Sequence, residues 1–155
     1  MENDTSKDTE KLLELFARLN KYIEEYREQS VLIQTLLTSD DEDSIFKIKD
    51  VLNHRETLIK NYDATALELK REQTLRADGN TIPEEIKQKI SSLEQKRQAV
   101  FNSIKDIENK NFKKISDLYN DNRGRIKQIE EGKKLMNAYH SAPTATDGVF
   151  FDRRK

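Results

Sequence analysis

The sequence predicts an all-α fold: an elongated antiparallel three-helix bundle or coiled coil, with room for a short fourth C-terminal helix and a flexible tail. Charged residues make up 37% of the chain and hydrophobic residues 34%, a balance that suits helices with one apolar stripe and solvated remaining faces. Only four glycines and two prolines are present to interrupt helices. Apolar residues recur in alternating steps of three and four along most of the chain, which is the helical period.

The first predicted helix covers residues 9–37, after a polar stretch, residues 1–8, that is predicted to be disordered. Steps of four and three trace a coiled-coil seam along it, and Leu15, Tyr22 and Leu36 widen that seam toward a bundle face. The seam consists of Leu12, Phe16, Leu19, Ile23, Tyr26, Ser30, Ile33 and Leu37.

The acidic stretch SDDEDS, residues 39–44, separates the first helix from the second, which is predicted over residues 45–76. Asp43 or Ser44 can cap the new helix, and the acidic cluster suits its positive end. A metal-binding loop is disfavoured, because the glycine and the spaced ligands of an EF-hand are missing. The second seam consists of Ile45, Ile48, Leu52, Arg55, Ile59, Tyr62, Ala66 and Leu69.

A turn at Asp78-Gly79-Asn80 precedes the third helix, which is predicted over residues 83–118 with Thr81 as its cap and Pro83 in its first turn. The third seam consists of Ile86, Ile90, Leu93, Arg97, Val100, Ile104 and Ile107. It then drifts, because the step from Ile104 to Ile115 spans eleven residues, which locally relaxes a left-handed supercoil.

The helical pattern is longer than an antiparallel bundle can accommodate. Turns near residues 41 and 80 place Ile45 level with Leu37 and Ile115, yet the pattern continues to Tyr139. About 20 residues, or roughly 30 Å of helix, therefore overhang. Either YNDNRG, residues 119–124, breaks the helix and residues 125–139 fold back, or the helix stays straight and a partner or second copy covers it. We favour the break.

Arg55 and Arg97 interrupt the seams of the second and third helices. We expect both to snorkel, with apolar stems packed and guanidinium groups in water. The alternative is a pair of register-setting ion pairs, since the antiparallel register brings Arg97 near Asp63 and Arg55 near Asp106.

No catalytic, cofactor or metal site is predicted. His54 and His140 lie on different helical patterns without acidic or thiol neighbours at ligand spacing, and the chain has no cysteine. Neither a nucleophile elbow nor a glycine-rich phosphate loop is present. We therefore expect a binding protein and not an enzyme.

Charge and hydropathy also exclude several partners. The net charge is −1, so no basic face favours nucleic acid. The polar N-terminus does not read as a signal peptide, and no stretch approaches the roughly 20 apolar residues of a membrane span. A cytoplasmic protein without membrane insertion is the expectation.

The helical domain is predicted to end at residue 140 and to be followed by a flexible tail, residues 141–155, that carries the apolar triplet Val149-Phe150-Phe151. Burial of the two phenylalanine side chains in a pocket would contribute roughly a few kcal/mol of favourable free energy, as is typical of aromatic side chains. That pocket belongs either to the bundle itself or to a partner.

Two stretches resemble the flagellar export chaperones of the FliT type, with the FlgN type as near neighbour. One is LNHRETLIKNYD, which is similar to the family's Leu-x-x-Arg-Glu-x-Leu-Ile segment. The other is IKDIENKNFKKISDLYNDNRGRIKQIEEGKKLMNAY with the tail DGVFFDRRK. Together the likeness covers roughly residues 45–155.

The resemblance implies a cytosolic chaperone that binds a filament-cap or hook-associated export substrate. It would deliver this client to the export ATPase complex and the export gate of the flagellar type III system. In the family the last helix is mobile and can cover the client groove; the matching residues here are Ile126, Ile129, Met136 and Tyr139. Together with Leu135 they are the apolar side chains of the predicted overhang, and all five are assigned to the client groove and the helix that covers it.

The resemblance also makes Tyr139 the first candidate for docking to the export gate, and Phe150 and Phe151 the next candidates. The competing hypothesis is a structural coiled-coil tether or adaptor that forms a homodimer through its C-terminal helix.

Overall fold

The computed structural model describes residues 2–76, 82–121 and 130–139, with side chains from residue 7 onward. It contains three long helices, α1 (Glu2–Leu37), α2 (Ser44–Arg76) and α3 (Glu84–Asp121). Residues 130–139, here called the C-terminal segment, are also helical. About 93% of the described residues are helical and none forms a strand, so the predicted all-α bundle is confirmed.

In the turn between α1 and α2, Asp43, one of the two predicted caps, directly precedes the first residue of α2. The Asp43 backbone N–H donates to Asp41 Oδ1 at 3.0 Å, and the Lys47 N–H donates to the Asp43 carbonyl at 3.1 Å. Asp43 therefore closes the first turn of α2. At the start of α3 the Lys87 N–H donates in the same way to the Pro83 carbonyl at 3.1 Å. The predicted cap Thr81 lies outside the described residues.

Helix α1 begins earlier than predicted. It starts at Glu2, so the expectation of disorder across residues 1–8 is wrong for the described residues of that stretch. Part of the reason is Arg76 at the end of α2, which donates a hydrogen bond to the Asp8 carbonyl and lies 3.8 Å from Asp8 Oδ1. The sequence pattern does not reveal this contact, because it joins residues far apart in the chain.

The chain divides into two compact units. The first comprises Met1–Glu25 with Leu58–Asn102, and the second comprises Tyr26–Thr57 with Ser103–Lys155. In the first unit Lys11 Nζ lies 2.9 Å from Glu72 Oε1, and Arg18 Nη1 lies 3.9 Å from Glu68 Oε2. These contacts show that α1 and α2 are antiparallel in this unit, as predicted.

The first unit also joins α3 to both other helices. Asn20 Nδ2 donates to the Leu93 carbonyl at 2.9 Å, and the Tyr62 and Phe101 rings meet edge to face with centroids 6.4 Å apart.

The predicted α1 seam is correct, since all eight of its residues are buried. The α2 seam is displaced in part. Ile45, Ile59 and Ala66 are only half-buried, whereas the residues that directly precede them, Ser44, Leu58 and Thr65, are buried. Val51 is also buried, together with the other predicted positions. The buried face of α2 therefore includes positions that the strict three-and-four pattern assigned to its flank.

The predicted fold-back of the chain after α3 is confirmed. Gly132 lies against Tyr119, and Asn111 contacts Tyr139, so the C-terminal segment runs antiparallel to α3 in the second unit. The alternative of one straight helix through residue 139 is wrong. The physical reason is that a straight helix would leave Leu135 and Tyr139 in water, whereas both are buried here.

Candidate helix-binding groove and buried polar layer

The C-terminal segment lies in an apolar groove of the second unit. We call this surface of α1, α2 and α3 the C-terminal groove. Its buried residues are Ile33, Leu37, Ile48, Val51, Leu52 and Ile115. The segment contributes Leu135 and Tyr139, both buried, and Met136 and Ala138 pack partly against the same cluster.

Docking and helix formation depend on each other in this segment. An isolated helix of its length is unstable in water, because few residues follow the costly first turn. Burial of a large apolar side chain contributes about 1.5–3 kcal/mol. Leu135 and Tyr139 each make such a contribution, so the contacts with the groove are what hold the segment helical.

Gly132 lets the segment approach α3 closely. A Cβ atom at this position would lie 3.2 Å from Tyr119 Cδ2 and 3.8 Å from Tyr119 Cβ. The first distance is shorter than ordinary van der Waals contact, so a side chain at residue 132 requires Tyr119 to yield. The absence of a side chain therefore sets how deeply the segment sits.

An ion pair ties the segment to α2. Lys49 Nζ donates to Glu131 Oε2, and both side chains are partly buried. The hydrogen bond from Lys49 holds the pKa of Glu131 below its ordinary value of 4.5. Lys134 lies 3.6 Å from the other oxygen of the same carboxylate. The segment is thus attached by charge near its beginning and by apolar contact further along.

A layer of buried polar residues lies beneath the end of the segment, and Arg55 is its centre. Arg55 has no exposed surface, and its Nη2 lies 2.8 Å from Glu108 Oε1. The same nitrogen donates to the Tyr26 hydroxyl, and the guanidinium carbon lies 4.2 Å from the centre of the Tyr26 ring. Burial acts to lower the pKa of Arg55, but Tyr26 and Glu108 outweigh it, so the guanidinium stays charged.

The layer continues through Ser30 and Asn111 to the C-terminal segment. Ser30 Oγ donates to Glu108 Oε1 at 2.6 Å, and Asn111 Nδ2 donates to the Ser30 carbonyl at 3.0 Å. The same amide nitrogen lies 3.3 Å from the Tyr139 hydroxyl oxygen, to which it donates. Burial raises the pKa of Tyr139 above its ordinary value of 10.0. Ser30, Arg55, Glu108 and Asn111 are called the polar layer below.

The expectation that Arg55 snorkels into water is wrong. Its neighbours on all three helices enclose it, and Glu108 balances its charge, so Arg55 forms a buried ion pair, as the alternative expected. The partner differs from the predicted Asp106, which is exposed. Arg97 is half-buried, and its guanidinium carbon lies 5.8 Å from the centre of the Phe16 ring.

Sequence reasoning missed Glu108 and Asn111. Both lie between Ile104 and Ile115, where the seam prediction placed only Ile107, which is half-buried. Steps of four, three and four connect Ile104, Glu108, Asn111 and Ile115, so the seam continues without drift and is merely polar there. Polar residues at one level of all three seams are the signal that predicts such a layer.

An open cleft adjoins the beginning of the C-terminal segment. It has a volume of about 510 Å³ and lies between the α1–α2 turn and α3. Apolar lining comes from Leu36, Ile45, Leu118 and Leu135, and the acidic turn residues 40–42 form part of its wall. Leu37 and Ile115 line it with Ile45, which confirms the predicted level of these three residues.

The structure brings together only part of the predicted site. Leu135, Met136 and Tyr139 lie together in the groove. Four predicted residues, Ile126, Ile129, Phe150 and Phe151, lie outside the described residues, as does His140. Tyr139 is fully buried, so its assignment to export-gate docking requires that the segment first leave the groove.

Comparisons with known proteins add no relative. No family model, no curated protein and no solved structure matches this chain.

Within the described residues, no group of three or more potential metal ligands occurs, and no helix is long and apolar enough to span a membrane. His54 is exposed, as expected.

Proposed function

We propose that this protein is a flagellar export chaperone, which binds an amphipathic helix of a filament-cap or hook-associated protein in its C-terminal groove. The observation that carries the proposal is the groove itself, which already holds a helix of the same chain through Leu135 and Tyr139. Recognition of an amphipathic helix by an apolar groove is a common mode of peptide binding.

The C-terminal segment acts in this proposal as a resident competitor. It is short and held by few side chains, so a longer client helix with a matching apolar face displaces it. The open cleft beside Gly132 offers further apolar surface to such a client. Release of the segment also exposes Tyr139, which then becomes available to the export gate.

The likeness of residues 45–155 to export chaperones supports the identity of the partners. These are the export substrate, the export ATPase complex and the export gate, all reached from the cytoplasm. The tether hypothesis has less support, because the apolar overhang on which it rests is folded back onto the chain's own helices.

Binding of candidate clients to the full chain tests the proposal. The filament-cap and hook-associated proteins of the same cell are titrated against the protein and against Gly132→Leu, whose added side chain crowds Tyr119 and should weaken docking of the segment. Lys133→Leu is the matched control, because it adds the same side chain at an exposed neighbouring position.

We expect one client to bind, and to bind more tightly to Gly132→Leu than to the protein or the control. A stable homodimer that binds none of these clients would favour the tether instead.

A further inference from the structure

The polar layer has more hydrogen-bonding capacity than the described residues use. Arg55 Nε and Nη1 are buried and have no hydrogen-bond partner among them. The same holds for Glu108 Oε2 and Asn111 Oδ1. Buried polar atoms of this kind are rare in folded proteins, because each unmatched atom costs free energy. The floor of the C-terminal groove is therefore polar at one point and apolar elsewhere.

Tyr139 is the residue of the segment that meets this point. Its hydroxyl accepts a hydrogen bond from Asn111 Nδ2, and the Arg55 guanidinium carbon lies 5.7 Å from the centre of its ring. Leu135, one helical turn earlier, fills the apolar part of the groove. The resident helix thus presents an aliphatic side chain and, four residues later, an aromatic side chain with a polar tip.

We infer that the polar layer selects the occupant of the C-terminal groove. A helix that replaces the segment must carry an aliphatic residue and, four positions later, a phenol or carboxamide whose oxygen accepts from Asn111. This inference rests on the proposed function and specifies the chemistry of the client helix.

The chemistry of the layer disfavours apolar and acidic side chains at the position of Tyr139. An apolar side chain in place of Tyr139 leaves the Asn111 amide without its acceptor, and removal of one partner of a buried hydrogen bond is costly. A carboxylate is also disfavoured, because Glu108 already balances the charge of Arg55. A phenol or a carboxamide is neutral, accepts from Asn111 and retains a hydrogen to donate.

Peptides that differ at one side chain test the inference. Helix-stabilised peptides with the sequence of residues 130–139 carry Tyr, Phe, Gln or Glu at the position of Tyr139. They are titrated against full-length Gly132→Leu, whose added side chain crowds Tyr119, after hydrogen exchange has shown that residues 133–139 of this variant are unprotected. The same series is repeated with Asn111→Leu added to that protein, and fluorescence polarisation reports the dissociation constants.

We expect the Tyr peptide to bind at least about tenfold more tightly than the Phe peptide, from the typical strength of a buried hydrogen bond. The Gln peptide should bind better than the Glu peptide. With Asn111→Leu the preference for Tyr over Phe should fall to about twofold or less, while the Phe peptide still binds and so shows that the groove is intact.

Equal binding of the Tyr and Phe peptides would overturn the selection and leave the proposed groove in place. A preference that survives Asn111→Leu, or a Phe peptide that no longer binds that variant, would overturn the assignment to Asn111. Failure of every peptide to bind a Gly132→Leu protein whose segment is unprotected would instead overturn the proposed function, and the selection with it.

Discussion

Arg55 Nη2 lies 2.8 Å from Glu108 Oε1 in the interior of the second unit, where Arg55 has no exposed surface. A buried ion pair of this kind is a poor source of net stability, because desolvation of both charges offsets their attraction. Loss of one partner is a different matter, since it leaves the other charge buried and alone. The pair should therefore determine which arrangement of helices forms more than how stable that arrangement is.

The first prediction concerns this pair. Arg55→Met or Glu108→Leu alone should lower the free energy of unfolding by about 3–5 kcal/mol, the typical cost of one unpaired buried charge. The double variant should lose clearly less than the sum of the two, because it buries no charge. Denaturant unfolding of all four proteins measures the coupling. Strict additivity would show that the two residues do not interact in solution.

The second prediction concerns alkaline pH. Burial raises the pKa of Tyr139 above 10.0, so the docked state binds its proton more tightly than the undocked state. The contribution of Tyr139 to docking is therefore complete below about pH 10 and is lost as the pH rises further. In an ultraviolet titration, Tyr139→Phe should show one fewer tyrosine that ionises only at strongly alkaline pH than the parent protein does. An unchanged number of late-ionising phenols would contradict burial of this side chain.

The third prediction concerns Gly132. Leucine forms helices more readily than glycine, yet its Cβ would lie 3.2 Å from Tyr119 Cδ2, so that Tyr119 or the segment has to move. Gly132→Leu should therefore speed amide hydrogen exchange across residues 133–139 while the exchange of α1 and α2 changes little. Lys133→Leu should leave the exchange of the segment near that of the parent. Equal protection in both variants would mean that the close approach is not required for docking.

The fourth prediction concerns acidic pH. The hydrogen bond from Lys49 lowers the pKa of Glu131, so the docked state favours the ionised carboxylate. This contribution is present above the ordinary pKa of 4.5 and is lost as the pH falls below it. Methyl NMR signals of Leu135 should shift toward undocked values across that range, and Glu131→Gln should make them less sensitive to pH. Parent and variant with the same pH profile would exclude Glu131 as the cause.

The fifth prediction concerns the tail. On the sequence-based expectation of a flexible tail, replacement of Phe150 and Phe151 with alanine should leave the melting temperature almost unchanged, because residues outside a packed core contribute little to stability. Under the proposed function the same change should weaken binding to the export gate and spare client binding. A clear drop in melting temperature with both interactions intact would show that the tail packs on the chain's own helices.

Much of the fold was predictable because apolar spacing is a local signal. The α1 seam, the acidic turn and the return of the chain after α3 follow from residues close together in sequence. The early start of α1 depends in part on Arg76, which no local pattern of residues 1–8 contains.

The candidate site was predictable only on its apolar side. Leu135, Met136 and Tyr139 stood out as surplus apolar residues, and the structure gives them a common groove. The polar layer was missed because a search for apolar positions treats Glu108 and Asn111 as a gap. Pairing across three helices gives these residues their role, and each helix alone shows only an interruption.

The polar layer also limits the errors that this chain can make while folding. Repetitive apolar seams permit helices to associate one turn or one heptad out of alignment at little cost. A shift of α3 by one turn brings Ile104 to the level of Arg55, and a shift by seven residues brings Ile115 there. Neither side chain can neutralise a guanidinium, so each misaligned association leaves the charge of Arg55 buried without a counter-charge. The layer thus favours the native helix register during refolding, because that register pairs Arg55 with Glu108.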